Sequence, residues 1–389
     1  MEQEHKKRIE AVKRYFKGEK PVKIYRSLGK NRRWLHFWVT RYNPDDPEWF
    51  KDKSRKPKTI ANKIPQDKEN LVVNIRKKLE ETKYSQIGAN AIRWELFRLG
   101  KAEEELPTIA TINRIIKRND LVKVNKKKTR ENKKYPVIAA KDPNQLQSLD
   151  LVGPRFLKND GSFYSFNLID VYSHAIKICP YRGKTTQFAL DFLVHCWQRI
   201  GIPRYLQVDN ELSFRGSNKY PRTFGDFIKI CLYFGVELIF IPPREPWRQG
   251  VIEKFNDVYD KLFFRKQVFT SFKQLKTEST VFERFHNRNH YYSEIKNVPI
   301  HIHNSVGRKV VPKSFDLHKK YIPFKEGKVS FIRFTNEKGQ VSFFSETFTV
   351  DKFFIHEYVK GTIDTKSNLL RFFYDDEIIK VYQYEVNKQ

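Results

Sequence analysis

The sequence predicts a multidomain chain: all-α helix-turn-helix units at the N-terminus, a central α/β mixed sheet, and a small β-barrel at the C-terminus. Three observations predict it. Helical periodicity with Gly, Asn and Thr boundary signals runs through residues 6–121. From Leu146, short apolar strands alternate with amphipathic helices. From about residue 326, short alternating strands separated by turn residues take over. At 389 residues the chain is too long for one ordinary core. The expected divisions are residues 1–55, 56–122, a basic linker 123–140, a core 141–300, a linker 301–325 and a barrel 326–389.

The first unit reads as three short helices. KKRIEAVKRYFKGE is followed by PVKIYRSLG, with Pro at its first position, and then by RRWLHFWVTRY. Gly29 closes the second helix and Asn31 caps the third. Trp34, Leu35 and Trp38 fall on the core side, while Arg32, Arg33 and His36 fall on the side free to reach DNA. In the second unit, NLVVNIRKKLEE and IGANAIRWELFRLG precede PTIATINRIIKRNDL. Thr108 caps a helix whose Ile109, Ile112, Ile115 and Ile116 form an apolar stripe. Thr111, Asn113, Arg114 and Lys117 lie on its other faces and are the second set of expected DNA contacts. VNKKKTRENKKYP has neither helical nor strand period and reads as a basic arm.

The central segment runs β-β-β-α-β-α-β-α. LQSLDLVGP and SFYSFNLIDVYSHAIKICPY supply three strands, TTQFALDFLVHCWQRIG a helix ended by Gly201, and YLQVDN a strand. TFGDFIKICLYFG is a helix ended by Gly235, VELIFIPP a strand, and WRQGVIEKFN opens a helix reaching about Phe264. Another helix spans about 271–286. The tail reads VSFIRFT, QVSFFSETFTV, KGTIDT, LLRFFYD and IIKVYQYEV, each a strand.

Charge narrows the partner. The formal net charge is +30, and residues 1–140 hold 37 basic against 18 acidic side chains. That excess favours a polyanion, with nucleic acid first. Cys179, Cys196 and Cys231 lie in apolar surroundings outside any CxxC pair, as buried thiols of a cytoplasmic protein would. No apolar run is long enough to span a membrane, so no membrane partner is expected, and the expected location is cytoplasmic, associated with the nucleoid. Neither a Walker loop nor GxSxG occurs, so no nucleotide cofactor and no acyl-enzyme chemistry are expected. His286, His290, His301 and His303 lack companion cysteines at zinc spacing.

Against this basic background, three acids stand out. Asp150 interrupts an apolar strand, where an acid costs free energy unless paired or holding a metal. Asp209 ends the strand YLQVDN, where α/β sheets place ligands. Glu253 lies on the first turn of the following helix. If the three converge, they need hard divalent cations, Mg²⁺ or Mn²⁺. Two such ions clamp the attacking and leaving oxygens of a phosphodiester displacement. Lys254 and Asn256, beside Glu253, are expected to contact substrate DNA.

SLDLVGP, QVDN and QGVIEKFN resemble the strand-one Asp, strand-four Asp-Asn and helical Gly-x-x-Glu-[Lys/Arg]-x-Asn of DDE transposases of bacterial-type insertion sequences. These are retroviral-integrase-like proteins with an RNase H-like catalytic core. The resemblance implies Asp150, Asp209 and Glu253 as catalytic metal ligands, with two Mg²⁺ or Mn²⁺ ions. It implies binding of the element's terminal repeats and target double-stranded DNA, 3′-end cleavage, strand transfer, and a homo-oligomer joining two ends. Forty-three residues separate Asp209 from Glu253, with SFRGSNKYPRTFG as the insertion. This chain has Glu211 where the family commonly has Gly, His174 where relatives have Arg, and His290 at another usual Arg. An inactive or domesticated transposase acting as a sequence-specific DNA-binding regulator is the alternative. A nuclease without strand transfer is another.

Overall fold

The structure is a computed structural model that describes residues 2–53, 64–122, 134–216, 222–317 and 322–387. The chain divides into two compact units, Met1–Pro65 and Gln66–Gln389. Residues 54–63, around the expected division at 55, and most of the basic arm 124–136 lie outside the described residues.

The first unit holds α1 (Glu2–Phe16), α2 (Pro21–Ser27) and α3 (Arg32–Arg41). Pro21 opens α2, where its missing N–H costs nothing. The side chain of Asn31 accepts the Trp34 N–H at 2.8 Å and so starts α3. Gly29 turns between the two helices at φ +67°. Ala11, Ile24 and Leu35 form the small core, with Trp34 against it. Trp38 is also buried.

In the second unit, α4 (Gln66–Glu81), α5 (Ala89–Arg98) and α6 (Ile109–Arg118) precede the sheet. Thr108 caps α6 by accepting the Thr111 N–H. Ile112, Ile115 and Ile116 are buried as the stripe predicted, and Ile109 is half-buried. The turn after α4 plugs into the rest of the unit through Tyr84. Its ring lies among Phe263, Phe282 and Phe285. Its hydroxyl donates to Glu278 at 2.7 Å.

One nine-stranded mixed sheet follows. Its members are β1 (Leu146–Phe156), β2 (Ser162–Asp170), β3 (Ile176–Tyr181), β4 (Tyr205–Val208), β5 (Glu237–Phe240), β6 (Lys328–Phe334), β9 (Tyr358–Asp364), β10 (Leu369–Tyr374) and β11 (Glu377–Gln383). The hairpin β7 (Gln340–Phe343) and β8 (Glu346–Thr349) stands apart from it. The spatial order is β11-β10-β9-β6-β5-β4-β1-β2-β3. β1, β4, β5 and β6 run parallel, and the outer pairings are antiparallel. The connecting helices are α7 (Thr186–Trp197), the short α8 (Leu212–Arg215), α9 (Asp226–Tyr233), α10 (Gly250–Leu262), α11 (Phe272–Asn289) and α12 (Pro299–Asn304). The predicted β-β-β-α-β-α-β-α order holds, with α8 added inside the insertion.

Strand alternation sends Leu149, Phe166, Leu168, Leu206 and Val208 into one core with α7 and α9. The opposite face buries Phe163, Ile169, Ile176 and Ile178 under Ile252, Phe255 and Tyr259 of α10 and Phe282 of α11. Cys196 and Cys231 are buried and Cys179 half-buried, all free thiols.

The expected separate C-terminal barrel does not form. β6 instead pairs in parallel with β5 and carries β9, β10 and β11 into the core's own sheet. The reason is an open edge: β5 otherwise presents a row of unpaired backbone groups, and β6 is buried on both faces, as an inner strand should be. QVSFFSETFTV is also not one strand. Positive φ at Phe344 and Ser345 folds it into the β7–β8 hairpin. Phe343 of that hairpin stacks on Phe331 of β6, ring centroids 4.0 Å apart. Among the described residues, no helix is long and apolar enough to cross a membrane.

Gly361 lies directly across from Phe331, and the Phe331 ring fills the space a Cβ would need. Gly361→Ala is therefore expected to lower stability by about 1–3 kcal/mol. A urea midpoint equal to that of the parent chain would contradict this packing.

Candidate active site

Asp150 and Asp209 come together because their strands are neighbours. β1 and β4 pair in parallel up to Ser148 opposite Gln207, and each acid lies two residues beyond that pair. Two residues is one strand period, so both acids project from the face that carries α10, opposite to Leu149 and Val208. Both are half-buried.

The site resists two negative charges. Burial raises the Asp150 carboxyl above its usual range, against the lowering effects of the Leu151 N–H and the Asn256 amide. Burial pushes Asp209 up to about 6, and the charges of Asp150 and Glu211 add to it. The Glu211 N–H, donating to Asp209 Oδ1 at 3.0 Å, and Lys184 work the other way.

A chain of amides reaches Asp150 from the side. Asn256 Nδ2 donates to Asp150 Oδ2 at 2.6 Å. Asn167 Nδ2 donates to Asn256 Oδ1 at 2.8 Å, and Ser165 Oγ donates to Asn167 Oδ1 at 2.8 Å. Asn167 is the cross-strand partner of Asp150, which sets the register of the network. Asn256 was expected to touch DNA; its amide is instead committed to Asp150. Lys254, on the same helix, is exposed.

Glu253 sits on the first turn of α10, half-buried. Among the described residues, no group of three His, Cys, Asp or Glu stands close enough to hold a metal ion. Of the three expected acids, Asp150 and Asp209 are close enough for the charge of the first to raise the second, and Glu253 follows on the neighbouring helix α10. The donors of the pair are oxygens only, which suits a hard divalent cation such as Mg²⁺ or Mn²⁺.

Gly250 needs no glycine-specific geometry. It is helical at φ −52°, and a Cβ there would meet nothing within 4 Å. Glu211 turns toward Lys184, 3.1 Å away, and its oxygen accepts the Leu212 N–H at the start of α8. His174 takes a left-handed turn position at φ +58° and stacks on Tyr292, centroids 4.1 Å apart. His290 is buried with Nε2 2.8 Å from the Tyr84 carbonyl, and burial lowers it to about 4. Asp170 is fully buried as a turn anchor, accepting from Asn144 N, Ser173 N and Ser173 Oγ, each at 2.7 Å.

Sequence reasoning missed Arg333. This β6 side chain is buried at 5% exposure. Its Nη2 donates to Asn210 Oδ1 at 2.6 Å, and its Nη1 to the Ile241 carbonyl at 2.9 Å. Asn210 Nδ2 donates to the same carbonyl at 2.6 Å. The tail thereby fixes the residue next to Asp209. Burial lowers the Arg333 guanidinium to about 9. An arginine inside the apolar run VSFIRF was the available signal, because a buried cation demands partners.

The other expected DNA contacts lie at the surface of helices. Arg32, Arg33 and His36 are exposed on α3 and line an open groove with Phe37, Thr40 and Arg41. Asn113, Arg114 and Lys117 are exposed on α6, whereas Thr111 is half-buried with its hydroxyl 3.0 Å from that of Thr108.

No family model matches the chain. A stretch of 114 residues is 27% identical to the Gag-Pro-Pol polyprotein of bovine leukemia virus (isolate Australian), covering 29% of this chain. The match spans only 7% of that polyprotein's length. Similar solved structures include the simian T-cell lymphotropic virus intasome (TM-score 0.37, 14% identity, 59% of this chain and 76% of that one). The HTLV-2 integrase catalytic core in complex with magnesium gives TM-score 0.34 and 13% identity, over 42% of this chain and 99% of that one. The BIV integrase catalytic core gives 0.31 and 15%, over 41% of this chain and 94% of that one.

A raised acid has a signed consequence. In cation-free protein, ionising Asp209 costs more in the folded chain than in the unfolded one. Its contribution to stability therefore falls as pH rises from about 4 to about 6. Asp209→Asn should raise the melting temperature of metal-free protein at pH 7, and the gain should vanish below pH 4. Equal melting of the two proteins at pH 7 would show that the carboxylate is not strained.

Proposed function

We propose that the chain is a DNA transposase of the integrase-like DDE type. It binds the ends of a mobile element and catalyses metal-dependent 3′-end cleavage and strand transfer into target DNA. The observation that carries the reading is the Asp150–Asp209 pair: two half-buried carboxylates at adjacent parallel strands, each raised by burial, beside the helix α10, which reaches Asp150 through Asn256 and carries Glu253 on its first turn. The net charge of +30 supports a DNA partner. The 27% likeness to a retroviral Gag-Pro-Pol polyprotein supports the class of chemistry.

In this reading Asp150, Asp209 and Glu253 would hold two Mg²⁺ or Mn²⁺ ions. When bound, the ions supply positive charge to the attacking and leaving oxygens of a phosphodiester displacement. The chain's own residues do the rest. Asn256 orients Asp150 through its amide, and Asn167 orients Asn256. Arg333 and Asn210 hold the turn that presents Asp209. Lys254, exposed one residue after Glu253, offers a cation to DNA phosphate. Arg32, Arg33 and His36 on α3, and Asn113, Arg114 and Lys117 on α6 with Thr111 at its start, would hold the terminal repeats. Joining two ends at once calls for a homo-oligomer. An insertion-sequence origin is the finer part of the proposal.

A second reading, a DNA-binding regulator that no longer cuts, is favoured by one observation: among the described residues no group of three His, Cys, Asp or Glu stands close enough to hold a metal ion. Products separate the two. On element-end DNA with Mn²⁺, the transposase nicks and joins, and the regulator binds without either. Asp150→Asn, Asp209→Asn and Glu253→Gln should each cut joining by about a hundredfold or more while leaving end binding intact. Full joining by Asp209→Asn would overturn the mechanism. Asn256→Ala should lose about ten- to a hundredfold in joining through the misplaced Asp150.

A further inference from the structure

The guanidinium of Arg248 lies in the corner formed by two tyrosine rings, 4.3 Å from the centroid of Tyr135 and 4.5 Å from that of Tyr358. Its Nε donates to Glu245 Oε2 at 3.0 Å, and the Tyr358 hydroxyl donates to the same oxygen at 2.7 Å. The two rings meet edge to face, centroids 5.3 Å apart at 74°. The Arg248 carbonyl accepts from Gln207 Nε2 at 3.4 Å, and Gln207 is two residues before Asp209.

Three segments far apart in sequence thus converge on one side chain. Tyr135 comes from the segment entering the core. Arg248 comes from the short 3₁₀ turn Pro246–Gln249 that feeds α10. Tyr358 opens β9. Arg248 stands two residues before the first residue of α10 and five before Glu253. α10 has no side-chain cap of its own. Its entry angle therefore depends on what holds the preceding turn. Among the described residues the Tyr135 hydroxyl has no hydrogen-bond partner. What Tyr135 contributes is the face of its ring, to which a guanidinium is attracted by about 0.5–2 kcal/mol depending on desolvation.

We infer that the Tyr135–Arg248–Tyr358 cluster is a positioning clamp that fixes the first turn of α10, and with it the place of Glu253 relative to Asp150 and Asp209. Arg248 acts through the helix and touches no reacting atom. The clamp rests on the proposed role of the three acids for its purpose, but not for its existence.

The experiment uses the full chain and two readouts. Hydrogen exchange of residues 250–254 is followed in metal-free protein, and Mn²⁺ affinity is measured by the electron-spin-resonance signal of the free ion. Tyr135→Phe keeps the ring and should match the parent within about twofold in both. Tyr135→Leu and Arg248→Met should speed exchange in the first turn of α10 by about tenfold or more. Both should weaken Mn²⁺ binding by about tenfold, with exchange across α11 unchanged. Should Tyr135→Leu unfold, Arg248→Lys serves in its place. It keeps the charge but not the flat stacked fork, and the same local loss is expected. Parent-like exchange in Tyr135→Leu and Arg248→Met overturns the clamp, as does damage in Tyr135→Phe equal to that in Tyr135→Leu. If the parent binds no Mn²⁺ while the exchange pattern appears as expected, the clamp stands and the metal reading of the acids falls.

Discussion

Two carboxylates on adjacent parallel strands, facing the same side of the sheet, are costly to keep, and the surrounding structure is arranged around that cost. Asp150 and Asp209 each lose hydration by burial, and the charge of Asp150 raises Asp209 further. Nothing apolar can relieve them. Backbone N–H groups and the Asn256 amide offset part of the penalty. Under the proposed function, a divalent cation would offset the rest.

The tail is what makes the site rigid. By pairing with β5, β6 delivers Arg333 to Asn210, and β9 delivers Tyr358 to Arg248. One contact braces the turn carrying Asp209, and the other braces the turn feeding the helix that carries Glu253. A tail closed into its own barrel would supply neither. The nine-stranded sheet therefore joins what looks in sequence like a catalytic core and an appendage.

Much of this was legible before any coordinates. Strands β1 to β5 and helices α7, α9 and α10 follow from local signals: period-2 apolar runs, a 3.6-residue stripe, and Gly201 and Gly235 as stops. Asp150 and Asp209 were legible because an acid in or at the end of an apolar strand is conspicuous. The pairing of β6 with β5 was not, because strand partners some 90 residues apart leave no local trace. The hydrogen bonds of Asn256 were hidden for a related reason. A helical Asn beside an acid looks the same whether it faces solvent or a neighbouring strand, and only the β1–β2 register shows Asn167 opposite Asp150 and within its reach. Arg333 and Tyr135 act through tertiary contacts alone, so their roles had no sequence signature beyond a charge in an apolar run.

Under the proposed function, Asp150 and Asp209 share one cation. Anomalous diffraction from crystals of the full chain grown with Mn²⁺ tests it most directly. A manganese peak at about 2 Å from carboxylate oxygens of both residues is expected. Manganese bound elsewhere at saturating concentration, with the space between the two acids holding none, would contradict it.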